Sequence, residues 1–371
     1  MGRRIVILSY DFGGENIHSR EIMERKLARD GRADATVLYI NWSPKREHIT
    51  LSDRIQVEAL RARFPKSRPL YDLLFIFFAP KIVSDSGFKP DEILISDFSL
   101  VWAAMRVRAR VGGRVILQLN GLPHQLAATR GFVHFIYYRL NEKFTARFVD
   151  TFVAINETTQ RYLIELGVPS DHVEVRAPNV IRADMSFIQS AVRGRVRDEL
   201  RITHDTPILL AVGRLEPEKT FDELLHLFAT ASIDTRLIIV GEGKLHDSLQ
   251  KLTDELGIRD RVFLVGHKDR SKIWNYYRDA DAFALISKSE GLGLVLWEAM
   301  YAGVPVIGRP VGGIKETIGE DGLRGFFWDT PNGAAAFGEK LERCFKKEHE
   351  VQEMVERAKV YVKSQLGIVD V

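Results

Sequence analysis

Ser289-Glu290-Gly291-Leu292-Gly293-Leu294-Val295-Leu296-Trp297-Glu298-Ala299-Met300 follows a short apolar run at residues 282–286. Together they read as a buried strand, a glycine turn and a helix. Gly291 and Gly293 let the backbone turn tightly and bring its amides close to an anion. The first amides of the following helix point to the same place, where the helix dipole favours negative charge. Glu290 stands on the loop and Glu298 one to two turns into the helix. Two carboxylates can therefore accept hydrogen bonds from one ligand's hydroxyls at different depths. Taken alone, the stretch also reads as a helix cap followed by an exposed glutamate.

Upstream, the apolar run 207–212 leads into Gly213-Arg214-Leu215-Glu216-Pro217-Glu218-Lys219-Thr220. Arg214 and Lys219 put two cations at a strand's C-terminal end, a guanidinium suited to paired phosphate contacts and an ammonium acting as a point charge. The segment approaches the phosphate-loop pattern G-x-x-x-x-G-K-[ST]. Glu218 stands where the second glycine belongs, however, and a carboxylate there repels a phosphate. A solvated charge cluster is the plainer alternative. Strand patterns at 237–240, 262–265 and 304–307 alternate with helical ones at 221–230, 245–256 and 272–277.

The first half repeats the theme, with strands expected at 4–9, 35–40, 93–96, 115–118 and 152–155 and helices at 19–29, 100–109 and 158–166. Its first strand runs into a second glycine loop, Gly13-Gly14. Such alternation predicts parallel sheets covered on both faces. A chain of 371 residues also exceeds what one core normally holds. The expected architecture is α/β: two Rossmann-like, doubly wound domains facing across a cleft. Their expected bounds are 1–185 and 207–347, joined by a linker at 186–206 in which Arg193-Gly194-Arg195-Val196-Arg197 reads as linker or surface helix. A C-terminal helix at 348–371 can cross back to the first domain. Ligands of such sheets bind beyond the C-terminal strand ends.

Composition narrows the function. The one cysteine, Cys344, supports neither a disulfide framework nor a cysteine metal site and fits a reducing compartment. Ile5-Val6-Ile7-Leu8 stops at Ser9, too short for a signal-peptide core, so a buried first strand is expected. Val6 breaks the myristoylation pattern. The apolar stretch 70–82, interrupted by Asp72, Pro80 and Lys81, is shorter than the roughly 20 residues that span a bilayer. A cytoplasmic chain is expected, with peripheral membrane attachment open. Net charge is +3, unevenly spread: residues 101–150 carry 8 basic and 2 acidic groups. That mild balance, without a recognition motif, argues against nucleic acid. Gly241-Glu242-Gly243 lacks the third glycine of a dinucleotide fingerprint.

The loops around Arg214 and Glu290 together resemble the retaining family-4 glycosyltransferases of the GT-B fold. The resemblance covers residues 207–320 closely. It includes Ala302-Gly303-Val304-Pro305-Val306 and Gly312-Gly313-Ile314-Lys315-Glu316. It implies that Gly213, Arg214 and Lys219 hold the diphosphate of a nucleoside-diphosphate sugar, UDP- or GDP-linked. Glu290 would contact the transferred sugar and Glu298 the ribose. The amides of Gly291, Leu292, Gly293 and Leu294 would hold the distal phosphate, and Val265 would lie at the nucleobase. In the first half, Gly13 and Gly14 would bring amides to the donor, and Pro178-Asn179-Val180 resembles the hinge segment without its glycine. The family's active-site histidine aligns with Asn120, while His124 can reach the site from the next turn, and both readings stay open. Asp279-Ala280-Asp281 matches the metal-binding D-x-D of other glycosyltransferases, but its place between helix and strand favours a capping role. No metal and no cofactor are expected.

The implied reaction is transfer with retention, in which two cations and a helix terminus stabilise the departing diphosphate. The alternative is a non-catalytic nucleotide-sugar-binding subunit that needs a partner. Epimerase and phosphorylase readings are further rivals. The acceptor in this fold meets the N-terminal domain, and a glycan or lipid-linked acceptor is expected. Residues 129–147 mix Phe132, Phe135, Tyr137, Tyr138 and Phe144 with Arg130, Arg139, Lys143 and Arg147. Such a segment either lies on an anionic membrane or is a core helix with a solvated face.

Overall fold

Ile5, Val6, Ile7 and Leu8 are buried on both sides of the chain, as a central parallel strand requires. They belong to β1 (Arg4–Phe12), which pairs in parallel with β2 (Thr36–Ser43) and β5 (Glu92–Ile95). The computed structural model describes residues 2–12, 27, 32–43, 47–61, 68–119, 132–176, 181, 184–231, 234–328 and 333–368. The chain divides into two compact units, Met1–Asn179 and Val180–Val371. Each carries its own sheet and its own core.

The first unit adds β3 (Glu47–Ser52), β4 (Ile55–Arg61), β6 (Arg114–Leu119), β7 (Thr151–Ala154) and β8 (Val173–Val175). Its sheet runs β3-β4-β2-β1-β5-β6-β7-β8 and is parallel except for the β3–β4 pair. That edge hairpin was not among the expected strands. In β4, Ile55 and Val57 are buried while Gln56 is exposed, so it lacks the continuous apolar run of the other inner strands. The unit's helices are α1 (Arg68–Asp85), α2 (Val101–Val111), α3 (Phe132–Thr145) and α4 (Glu157–Glu165), of which α1, α2 and α4 pack on the sheet. Val6, Leu8, Ile95 and Leu117 meet Phe75, Val107 and Leu163 in that core. The stretch 70–82 is thus helical. Among the described residues, no helix is long and apolar enough to cross a membrane. The helix expected at 19–29 lies outside the described residues apart from Leu27, which is buried in the other-face cluster with Tyr39 and Val37.

The second unit holds β9 (Ile208–Val212), β10 (Arg236–Val240), β11 (Val262–Leu264), β12 (Ala282–Leu285), β13 (Val306–Gly308) and β14 (Phe326–Phe327), all parallel. The order β11-β10-β9-β12-β13-β14 reverses direction between β9 and β12. Loops leaving such neighbouring strands diverge to opposite faces and leave a crevice between them. Its helices include α5 (Met185–Ser190), α6 (Arg195–Leu200), α7 (Phe221–Thr230), α8 (His246–Glu255), α9 (Arg270–Asp279) and α10 (Leu294–Tyr301), then α11 (Gly312–Ile318), α12 (Gly333–Phe345) and α13 (His349–Gln365).

Residues 186–206, read from sequence as a linker, carry α6 and are fastened to the second unit. Asp279 accepts hydrogen bonds from the amides of Gly194, Val196 and Arg197, at 2.5, 2.8 and 3.3 Å. Asp281 takes the Arg197 guanidinium at 2.7 Å and the Ile208 amide at 3.0 Å. Both D-x-D carboxylates are therefore committed to holding the start of this unit. The closing helix α13 packs on α10, with Trp297 and Tyr361 edge to face at 6.1 Å.

Glu142 on α3 is fully buried and accepts a hydrogen bond from the Tyr162 hydroxyl. Burial pushes its carboxyl from the ordinary 4.5 up to about 7, against the opposing pull of Tyr162 and Arg139. The folded chain holds this proton more tightly than the unfolded one. Its contribution to stability is complete below about pH 4.5 and is lost as pH rises to about 7. Glu142→Gln should flatten the fall in melting temperature across that interval. Parallel pH profiles for the two proteins would contradict this reading.

Candidate active site

The reversal between β9 and β12 brings together two loops whose key residues, Lys219 and Glu290, lie 71 positions apart. After β9, the Gly213 amide donates to Val240 O at 3.0 Å and the Leu215 amide to Glu242 O at 2.8 Å. Gly241-Glu242-Gly243 thus serves as a backing for the first loop. Leu215 is buried, while the Arg214 side chain is 74% exposed, with Glu218 at 3.5 Å. A 3-10 turn, Pro217–Lys219, then delivers Thr220 in a left-handed conformation, φ 51°. A β-branched residue is strained there, and surrounding contacts must hold it. Its hydroxyl donates to Ile286 O at 2.6 Å, and the Lys288 amide donates to Glu218 O at 2.9 Å. Across this tie Lys219 Nζ meets Glu290 Oε2 at 2.5 Å, each side chain 15% exposed.

The second loop is shaped by glycine. Gly293 precedes α10 at φ 73°, a conformation that L side chains rarely adopt. The start of α11 presses against the loop: a Cβ on Gly312 would fall 2.3 Å from Glu290 O, and one on Gly313 2.3 Å from Gly291 O. The Gly313 amide donates to Glu290 O at 3.0 Å. Helix α10 begins at Leu294 with no side-chain cap among the described residues, and a helix start of that kind favours negative charge beside it.

Glu298 lies inside this unit, 2% exposed. Its Oε1 takes Arg270 at 2.8 Å and its Oε2 accepts from the Tyr277 hydroxyl at 2.6 Å. Arg270 also grips Asp184, Nε to Oδ2 at 2.6 Å, and the Trp274 indole donates to the same oxygen at 3.1 Å. The two carboxylates hold the Arg270 guanidinium charged, and burial beside Glu298 raises the Tyr277 phenol well above its ordinary range. A carboxylate has about four lone-pair sites, so Glu298 keeps capacity for a ligand hydroxyl. Val265 follows β11, its amide donating to Ile239 O at 3.1 Å.

Five of the sequence-derived positions, Arg214, Lys219, Glu290, Gly291 and Gly293, thus gather at the β9–β12 reversal. Gly13, Gly14, Asn120 and His124, with Pro178-Asn179-Val180, lie outside the described residues. Sequence reasoning passed over Thr220, Arg270 and Tyr277. No motif marks Arg270 and Tyr277, which stand 28 and 21 positions from Glu298 and meet it only through packing. Among the described residues, no group of three His, Cys, Asp or Glu side chains is arranged to hold a metal.

Known proteins resemble the chain in both halves. The family model described as glycosyl transferases group 1 matches residues 192–361, and that described as glycosyl transferase 4-like domain matches residues 13–179. D-inositol 3-phosphate glycosyltransferase of Streptosporangium roseum is 33% identical over 199 residues, 50% of this chain and 45% of that protein. The chain thus spans about half the length of the curated relatives it matches. Among solved structures, sucrose-phosphate synthase from Thermosynechococcus elongatus superposes with a TM-score of 0.77 at 19% identity, over 98% of this chain and 95% of that one. Anabaena HepE in complex with UDP-glucose does so at 0.72 and 17%, over 98% and 95%. These structural likenesses establish the shared two-domain α/β fold.

Thr220→Val keeps the shape of the side chain and removes its hydroxyl. Ile286 O then loses a buried partner, which should cost about 1–3 kcal/mol of unfolding free energy. Urea denaturation reads this directly, and unchanged stability would show that the tie contributes nothing.

Proposed function

We propose, for a chain that belongs to the family-4 glycosyltransferases of the GT-B fold, that it moves a sugar from a nucleoside diphosphate to an acceptor hydroxyl with retention. The observation that carries the reading is the Lys219–Glu290 pair beside the start of α10, which no side chain caps among the described residues. As the glycosidic bond breaks, negative charge grows on the leaving diphosphate. Arg214, Lys219 and the α10 amides are groups already in place to stabilise it, with no metal ion required. Glu290, neutralised by Lys219 in the free protein, would take the hydroxyls of the transferred sugar once the phosphates share that ammonium. Glu298, oriented by Arg270 and Tyr277, would accept from the ribose. The UDP-glucose held by HepE favours UDP as the base-bearing half of the donor.

The acceptor we infer is lipid-linked and met at a membrane surface. D-inositol 3-phosphate, named for the relative, is the soluble counterpart to test beside it. What favours the membrane is one face of the first unit. Ile136, Leu140 and Phe144 form an exposed stripe along α3, with Leu140 66% exposed. Phe77 and Phe78 on α1 and Trp102 on α2 are also open, Phe77 at 60%. Trp102 stacks on Phe144 at 5.8 Å. Arg106 lies over the Phe77 ring at 5.3 Å and Arg147 over Phe144 at 4.1 Å. Apolar rings set among arginines match an interface of acyl chains and anionic head groups.

Arg214→Ala and Lys219→Ala should each weaken UDP or GDP binding about tenfold to a hundredfold, the loss of a charge-assisted contact. Calorimetry without added metal measures this, and unchanged affinity in both variants would refute the diphosphate site. For the membrane face, wild type should sediment with phosphatidylserine-containing vesicles at low salt and far less with phosphatidylcholine alone. A Phe77→Ser, Phe144→Ser double variant should lose most of that binding. Equal recovery in the supernatant with both vesicle types would exclude membrane attachment.

A further inference from the structure

Tyr276 on α9 is 3% exposed, and its hydroxyl has no hydrogen-bond partner among the described residues. Leaving a buried hydroxyl unmatched is costly, and an external partner would recover that cost. The residue lines a cavity of about 110 Å³ together with Arg195, Lys268, Lys272, Asn275 and Glu199. A site for one water needs only about 10–15 Å³ on a comparable measure, so this space takes a larger polyatomic group. Lys268 Nζ lies 5.7 Å from the Tyr276 ring centroid. Arg195, Lys268 and Lys272 form no ion pair among the described residues, and Glu199 is the single carboxylate in the lining. Asn275 Oδ1 is occupied by the Val192 amide at 2.8 Å, which leaves its NH2 as a donor. The lining is therefore rich in donors, with three cations against one anion. That is the complement of a phosphate dianion, which accepts on every oxygen.

The pocket also has a mechanical connection. Lys268 and Lys272 flank Arg270, whose guanidinium holds the Glu298 and Asp184 carboxylates. A ligand that draws Lys268, Lys272 and Tyr276 together braces the first turns of α9 and, through Arg270, the orientation of Glu298. We propose that this pocket binds a phosphate group, free or carried by a small metabolite, and that its occupancy strengthens donor binding. The second clause rests on the reading of Glu298 as a donor contact, whereas the first does not.

The test is calorimetric titration of the full chain with inorganic phosphate and, separately, glucose 6-phosphate, in the presence of saturating UDP so that the diphosphate site is filled. One phosphate per chain is expected, weakened at least tenfold by Tyr276→Phe and by Lys272→Met but unmoved by Arg214→Ala. Tighter binding of the sugar phosphate would identify a metabolite, and equal binding the free ion. Tyr276→Phe deletes one oxygen only, and its melting curve checks that the fold is kept. Absence of saturable phosphate binding, or binding that follows Arg214 instead of Tyr276 and Lys272, would overturn the pocket. If UDP itself fails to bind, the donor reading falls, and the same phosphate titration on the free protein still decides the pocket. A UDP affinity identical with and without phosphate would overturn the coupling alone.

Discussion

The candidate site depends on β9 and β12 lying side by side with their following segments diverging. A parallel strand ends with its loop at one edge of the sheet. Two adjacent strands whose crossovers go to opposite faces leave that edge uncovered. The two loops of the candidate site are hung from this gap. The Thr220 hydroxyl on Ile286 O joins the two loops, and the Lys219–Glu290 pair closes them over the helix start. A left-handed Thr220 is tolerated because its hydroxyl bond and its burial define its position.

Buried charge in this unit is handled by pairing throughout. Glu298, Arg270 and Asp184 form one chain of carboxylate, guanidinium and carboxylate, closed by the Tyr277 and Trp274 donors. Arg197 is treated alike by Asp281 and by the carbonyls of Thr203 and Thr206. Removing charges from water costs several kcal/mol per ion, and such networks recover it only when each donor and acceptor is met. They therefore add more to the definition of one geometry than to net stability. On the function proposed above that definition matters, because a carboxylate that accepts from a sugar hydroxyl has to be held in one orientation before the ligand arrives.

The first unit distributes its apolar surface differently. One side of α1 and α2 is buried against the strands through Phe75, Ala79, Val107 and their neighbours. The other side, together with α3, keeps Phe77, Trp102 and Phe144 open and surrounds them with arginine. A helix facing only a core and bulk water would place polar residues there. The local composition of residues 101–150, rich in base and poor in acid, is the sequence-level trace of the same face.

Much was legible in the chain itself. The inner strands are continuous apolar runs because both their faces are covered, so 4–9, 93–96, 208–212 and 282–286 declare themselves without any neighbour in view. The two loops stood out as glycine and charge after a strand, and the structure sets them side by side at the β9–β12 reversal. The hairpin β3–β4 was not legible, since β4 alternates buried Ile55 and Val57 with exposed Gln56 in place of an unbroken apolar run. Nor could spacing show that Asp279 and Asp281 are spent on the amides and guanidinium of residues 194–208, or that residues 186–206 belong to the second unit. Local patterns record what each segment needs from its own backbone and solvent. The partners of Lys219, Thr220 and Glu298 lie 71, 66 and 28 positions away, and only the order of strands in the sheet brought them within hydrogen-bonding distance.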